Sequence, residues 1–130
     1  MNKKDYAVWG TIKTNVHNNK ERPFFHEREV WFCTLGENVG FEQDGRGENY
    51  LRPVVVVRKF NNAVCLVVPL TKNQKKGIHY FSFSYKDDLV STAILSQVRL
   101  IDAKRLDYKS GFISETDFEA LKQKLKQLIA

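Results

Sequence analysis

The chain has 130 residues, of which 42% are hydrophobic and 12% aromatic, and a formal net charge of +6. This suits one folded domain with a single sizeable core and excludes a disordered chain. The basic balance favours nucleic acid, an anionic membrane or an acidic protein as partner without choosing among them. The start of the chain lacks the apolar core of a signal peptide and no run reaches transmembrane length, so the expected location is the cytoplasm, with no membrane partner.

Tyr6, Trp9, Ile12 and Val16 recur at helical spacing and predict a helix from residue 3 to about residue 17, with Asn2 and Asp5 as a capping pair. A polar connector follows. Residues 1–27 therefore read as an N-terminal helix and connector, and residues 28–130 as the main domain. From Glu29 the pattern turns to strands, the first being Val30-Trp31-Phe32-Cys33. Residues 36–50 form a long loop rich in glycine, with four acids against one arginine. A loop of that length in a compact domain is usually functional or mobile.

The loop runs into Leu51-Arg52-Pro53 and then four consecutive valines, Val54 to Val57, which predict a buried strand. Arg52 is thus a fork-shaped, permanently charged donor at the entrance of a rigid element. A hairpin turn at Asn61-Asn62 leads to a second valine-rich strand over residues 63–70. Cys33 and Cys65 lie inside these apolar runs and read as buried free thiols, too few for a structural zinc site.

A basic loop, Lys72-Asn73-Gln74-Lys75-Lys76-Gly77, precedes a half-buried strand over residues 79–85. In that strand Phe81, Phe83 and Tyr85 share a face with His79. Residues 93–101 predict one further strand, with Gln97 near its middle. At the end, Ser114 and Asp117 form a capping box, Ile113 and Phe118 a staple, and Phe118, Leu121, Leu125, Leu128 and Ile129 one apolar stripe of a closing helix. Five or so strands with short connections predict a mainly β fold with helices (α+β): a small, strongly bent antiparallel sheet or barrel with helices at its margins.

Five segments, in order, resemble the MazF/PemK family of toxin endoribonucleases. They are the strand ending in Leu35-Gly36, then Gly40-Phe41-Glu42-Gln43-Asp44-Gly45, then Arg52-Pro53-Val54. Val68-Pro69-Leu70-Thr71 and Gln97-Val98-Arg99-Leu100-Ile101-Asp102 with Arg105-Leu106 complete the set. The resemblance covers most of the chain, from about Arg28 to Ile129. It implies an SH3-like, CcdB/MazF-like barrel with a C-terminal helix, to which the N-terminal helix is an addition, and usually a homodimer. It implies sequence-selective cleavage of single-stranded RNA with no metal and no other cofactor. In that reaction the 2′-hydroxyl attacks its own phosphodiester, leaving a 2′,3′-cyclic phosphate and a 5′-hydroxyl. It also implies an acidic, partly disordered antitoxin as partner.

By the same resemblance Arg52 and Thr71 are the catalytic pair. Arginine supplies a fixed cation to a phosphorane whose charge grows in the transition state, and the Thr71 hydroxyl can donate to a non-bridging oxygen. Arg52 also reads as a surface salt bridge to Glu42 or Asp44, which is compatible with catalysis, and Thr71 taken alone reads first as a strand-end threonine satisfying local backbone. Glu42, Gln43, His79, Ser96 and Gln97 are candidate catalytic or supporting residues. Gln97 suits either the groove or a structural amide, and His79 either proton transfer or ordinary packing. Phe41, Lys72, Lys75, Lys76 and Ser91 are candidate RNA contacts, as base stacker, backbone cations and hydroxyl. His17 and His26 read as structural or surface.

The chain departs from the family at Ser96 and Ile94, where one branch carries an acid and a base, so that branch's proton transfer does not carry over. Residues 46–51 are a further insertion ahead of the arginine. Two rival readings share the fold, a CcdB-like gyrase-binding toxin and a noncatalytic RNA- or protein-binding barrel. The first expects a C-terminal tryptophan, which this chain lacks.

Overall fold

The computed structural model describes residues 21–35 and 51–129. The sequence-predicted N-terminal helix and the whole of the long acidic loop lie outside them. Among the described residues seven strands are present: β1 (Glu29–Thr34), β2 (Leu51–Lys59), β3 (Val64–Thr71), β4 (Tyr80–Lys86), β5 (Leu89–Ile94), β6 (Arg99–Asp102) and β7 (Leu106–Phe112). One α-helix among them, α1 (Glu115–Ile129), follows the strands.

The four valines form a strand buried on both faces. Val55 and Val57 join a cluster with Val30, Val68, Leu70, Phe83 and Ile113, which α1 covers with Phe118, Leu121 and Leu125. Val54 and Val56 point the other way, into a second cluster with Phe25, Trp31, Cys33, Cys65, Val67 and Ile101. A strand with one wet face would alternate apolar and polar residues; this one does not because each face has its own core. The N-cap half of the box forms, with the Asp117 backbone N–H donating to Ser114 Oγ at 3.1 Å. The turn before β3 is closed by Asn61, whose Oδ1 accepts from the N–H groups of Ala63 and Val64 at 2.7 and 2.9 Å.

Every strand pairing is antiparallel, in the order β4-β5-β3-β2-β1-β7, with β6 added to β3. The sheet is bent but not closed, for no ladder joins β4 to β7 among the described residues. Those two outer strands meet through side chains, Tyr85 Oη lying 3.1 Å from Ser110 Oγ.

The expected strand over residues 93–101 is broken. Leu70 pairs with Ala93, whereas Val67, three residues back, pairs with Arg99, six residues on. The surplus is taken up by a 3-10 turn at Leu95–Gln97, which carries the chain from one part of the β3 edge to the next. Gln97 therefore stands half-buried in a turn rather than mid-strand. β7 is a strand that the apolar pattern does not reveal, since most of its residues are exposed or only half-buried at the sheet edge.

Residues 22–27 lie against this body. Arg22 donates from Nε and Nη2 to the two carboxylate oxygens of Asp102, both at 3.0 Å. Phe25 is fully buried, and its carbonyl accepts from Lys59 Nζ at 2.7 Å. His26 proves structural, its Nδ1 lying 3.4 Å from Glu29 Oε2.

Candidate active site

Arg52 enters β2 one residue before Pro53, a position driven to extended geometry. On one side it pairs with Cys33 of β1. On the other, the β2–β3 ladder runs Val55 to Val68 and Val54 to Pro69. Arg52 and Thr71 each lie two residues beyond that last ladder pair, at adjoining strand ends. The two residues that sequence separates by a hairpin thus come from adjacent strand ends.

Arg52 is only 4% exposed; its alternative partners Glu42 and Asp44 lie outside the described residues. Its Nε is buried without an acceptor, while the side chain as a whole is engaged. The surroundings are dry. Burial pushes the thiol of the neighbouring Cys33 up to about 12, and that of Cys65 in the same cluster up to about 11. A cation in such a place acts with less screening than one in water.

Thr71 is half-buried at the end of β3, and its Oγ1 accepts the backbone N–H of Asn73 at 3.2 Å. That bond uses a lone pair of the hydroxyl and leaves its hydrogen to donate elsewhere. The local structural role read for Thr71 is therefore compatible with a donor role. An open cavity of about 600 Å³ sits at this strand end, lined among the described residues by Phe32, Leu51, Arg52, Pro53, Leu70, Thr71, Lys72 and Asn73.

The cavity brings together Arg52, Thr71 and Lys72 of the sequence-predicted set. Among the described residues it does not include the others. Ser96 and Gln97 line a separate polar depression of about 440 Å³ with Val98, Arg99 and Leu100. His79 is exposed ahead of β4, its carbonyl accepting from the Leu95 N–H at 2.8 Å. Lys75 and Lys76 are exposed in the basic loop, with Lys75 Nζ 5.9 Å from the centre of the Tyr80 ring. Ser91 is half-buried opposite Phe83. Phe41, Glu42 and Gln43 lie outside the described residues.

Sequence reasoning missed Phe32, Leu51, Pro53, Leu70 and Asn73 as lining residues. Asn73 was findable, because a threonine two residues earlier signals a hydroxyl turn. The apolar four carry no signal that separates a cavity wall from core.

The segment from Gln97 to Leu106 is largely scaffold. Asp102 Oδ1 accepts the Lys104 N–H at 2.8 Å and holds Arg22. Arg105 Nη1 donates to the Thr34 carbonyl at 2.9 Å, fixing the end of β1 beside the site. Burial pulls the Arg105 guanidinium below its ordinary value, and the nearby charge of Arg99 pulls the same way against Cys33 and Asp102. Among the described residues no group of three or more His, Cys, Asp or Glu side chains could hold a metal ion, and no helix is long and apolar enough to cross a membrane.

Residues 26–129 match the family model of PemK-like, MazF-like toxins of type II toxin–antitoxin systems. The chain belongs to that family. Its fold agrees. The MazF of Deinococcus radiodurans superposes with a TM-score of 0.67 at 16% identity, over 85% of this chain and 98% of that one. A mycobacterial endoribonuclease solved with its cognate antitoxin gives 0.64 at 14% identity, over 82% and 95% of the two chains. The Mycobacterium tuberculosis toxin MazF-mt6 gives 0.61 at 13%, over 78% and 96%. No curated protein sequence matches the chain. As a MazF-like toxin it is a member of a family known for endoribonuclease activity, and the expected strand-rich fold with a C-terminal helix is the family's own.

Proposed function

We propose that this MazF-like toxin is an endoribonuclease that cuts single-stranded RNA at the Arg52–Thr71 site without a metal ion. The observation that carries this reading is that Arg52 and Thr71, at neighbouring strand ends, line one cavity. The substrate's 2′-oxygen forms a bond to phosphorus as the bond to the 5′-oxygen breaks. The 2′-hydroxyl proton is lost and the leaving 5′-oxygen gains one. The products are a 2′,3′-cyclic phosphate and a 5′-hydroxyl. Arg52 meets the charge that grows on the phosphorane, and Thr71 donates to a non-bridging oxygen. Lys72 tracks the backbone of the strand. The cavity's described lining supplies no carboxylate or imidazole for the proton steps, so Glu42 of the preceding loop is the candidate base in this scheme.

An acidic antitoxin would occupy the same basic groove, as the family's type II systems and the complexed mycobacterial relative suggest, and a homodimer is the proposed assembly. The test is to incubate the purified protein with varied RNA in chelator and to identify the fragment ends. Cyclic-phosphate and 5′-hydroxyl ends are expected. Arg52→Ala should reduce the single-turnover rate by about 10²- to 10³-fold, the usual loss on removing one transition-state donor. Cleavage undiminished in Arg52→Ala would remove the proposed site, and intact RNA across all sequences would remove the activity.

A further inference from the structure

We infer that Phe32 is a base-stacking shelf for the RNA strand, with Tyr108 as the ring that holds it in position; this rests on the reading of the cavity as an RNA site. Phe32 of β1 is paired with Pro53 of β2 and with Tyr108 of β7. The Phe32 and Tyr108 rings stack with centroids 4.7 Å apart and planes 18° from parallel. Tyr108, Phe32 and Pro53 thus form a row across three strands on one face of the sheet.

Further along that face α1 covers Val30, Val55 and Val68. At the row itself the face is open. Phe32 is half-buried, Tyr108 is 50% exposed, and neither belongs to the core clusters. A cross-strand aromatic pair is by itself a modest source of sheet stability. This pair has a second property, since Phe32 and Pro53 line the same cavity as Arg52, Thr71, Lys72 and Asn73. By alternation Arg52 and Thr71 belong to the opposite face from this row, so the cavity at the strand ends is lined from both faces, with an apolar wall from one and cationic and hydroxyl donors from the other. A nucleotide has that same pairing, a base with a π-face attached to a phosphate. Aromatic stacking accepts every base, so the shelf would hold the nucleotide beside the reacting phosphate whatever its identity. Tyr108 does not line the cavity and acts through Phe32, as a positioning residue.

The experiment uses a single-stranded oligoribonucleotide methylated at every 2′-oxygen, which blocks the attacking hydroxyl. Affinity is read by fluorescence anisotropy, and stacking by the quenching of 2-aminopurine placed at successive positions. Phe32→Leu should weaken binding by roughly 5- to 150-fold and abolish the quenching at one position, with the salt slope unchanged because phosphate contacts remain. Phe32→Trp and Tyr108→Phe should keep both affinity and quenching. Tyr108→Leu, on an exposed edge strand, should lose the quenching with a smaller loss of affinity, and it carries the test if Phe32→Leu fails to fold. Wild-type affinity and quenching in both leucine variants overturns the shelf while leaving the RNA site intact. A wild-type protein that does not bind the oligonucleotide overturns the RNA reading, and the shelf with it. Loss of a dimer in sedimentation at unchanged RNA affinity assigns the row to a contact between two copies of the chain and also overturns the shelf.

Discussion

Gly111 of β7 lies against the ring of Tyr85 of β4. A methyl group on Gly111 would come within 3.0 Å of Tyr85 Cδ2 and 3.2 Å of Cε2. The same tyrosine reaches Ser110 through its hydroxyl. These contacts tie the two outer strands of an open sheet where no ladder does so. Gly111→Ala is therefore expected to destabilise the protein by about 1–3 kcal/mol through overpacking. In a Tyr85→Ala background the same change should cost much less. Urea unfolding of the four variants checks this, and simple additivity of the two losses would show that the contact is not the source.

Arg28 holds the junction of β1, β7 and α1 with a positive φ of 76°. Its Nε donates to the Ile113 carbonyl at 3.0 Å, and its backbone N–H to the Val56 carbonyl at 3.0 Å. Left-handed geometry costs a residue with a Cβ about 1–2 kcal/mol, part of which glycine repays through unfolded-chain entropy. Arg28→Ala and Arg28→Gly both lose the side-chain bond. The glycine variant should nevertheless be the more stable of the two by about 0.5–1 kcal/mol. Equal midpoints and slopes in denaturant would contradict this account of the backbone.

The hydrogen bonds from Arg22 are the main reason the Asp102 carboxyl sits below its ordinary value; burial opposes them, and the Lys104 N–H assists. A carboxyl lowered by folding contributes its stability above the unfolded value, near pH 4, and loses it as pH falls through the folded value. Both partners are partly exposed, so the effect is small and weakens with salt. Asp102→Asn keeps the acceptor for Lys104 and removes the charge. It should be less stable than the parent at neutral pH, with the gap closing below about pH 4. A gap that stays constant from neutral to strongly acidic pH would show that charge is not involved.

Thr71 has two duties that can be separated. Its oxygen accepts the Asn73 N–H, and its hydrogen is the proposed donor to the phosphate. Thr71→Ser keeps both and should cut RNA within several-fold of the parent, whereas Thr71→Val loses both. The expected loss of stability in the valine variant is only about 1 kcal/mol, one ordinary hydrogen bond, while its cleavage rate falls by about 10²-fold or more. Thr71→Val cleaving at the parental rate would leave Thr71 as a turn residue alone.

Much of this protein was legible in its residues because the signals were local. The valine run, the Asn61 turn, the Ser114–Asp117 cap and the apolar stripe of α1 each depend on neighbours within a few positions, and each formed as read, save that Ile129 of the stripe is exposed. The ordered motifs gave the family, and with it Arg52 and Thr71 as the residues to examine. What the residues alone did not determine is everything set by partners distant in the chain. The break at Leu95–Gln97 exists because β3 changes neighbours along one edge, a fact invisible to the periodicity of residues 93–101. β7 was missed because an exposed edge strand needs no apolar pattern. Phe32 looked like core because a ring packed inside and a ring facing a cavity have the same sequence. Only the pairing of β2 with β3 brought Arg52 and Thr71 to neighbouring strand ends, and only the register of β1 on β7 decided that Tyr108 would back Phe32. Pairing across strands is a long-range choice, made by burial on both faces of the sheet at once.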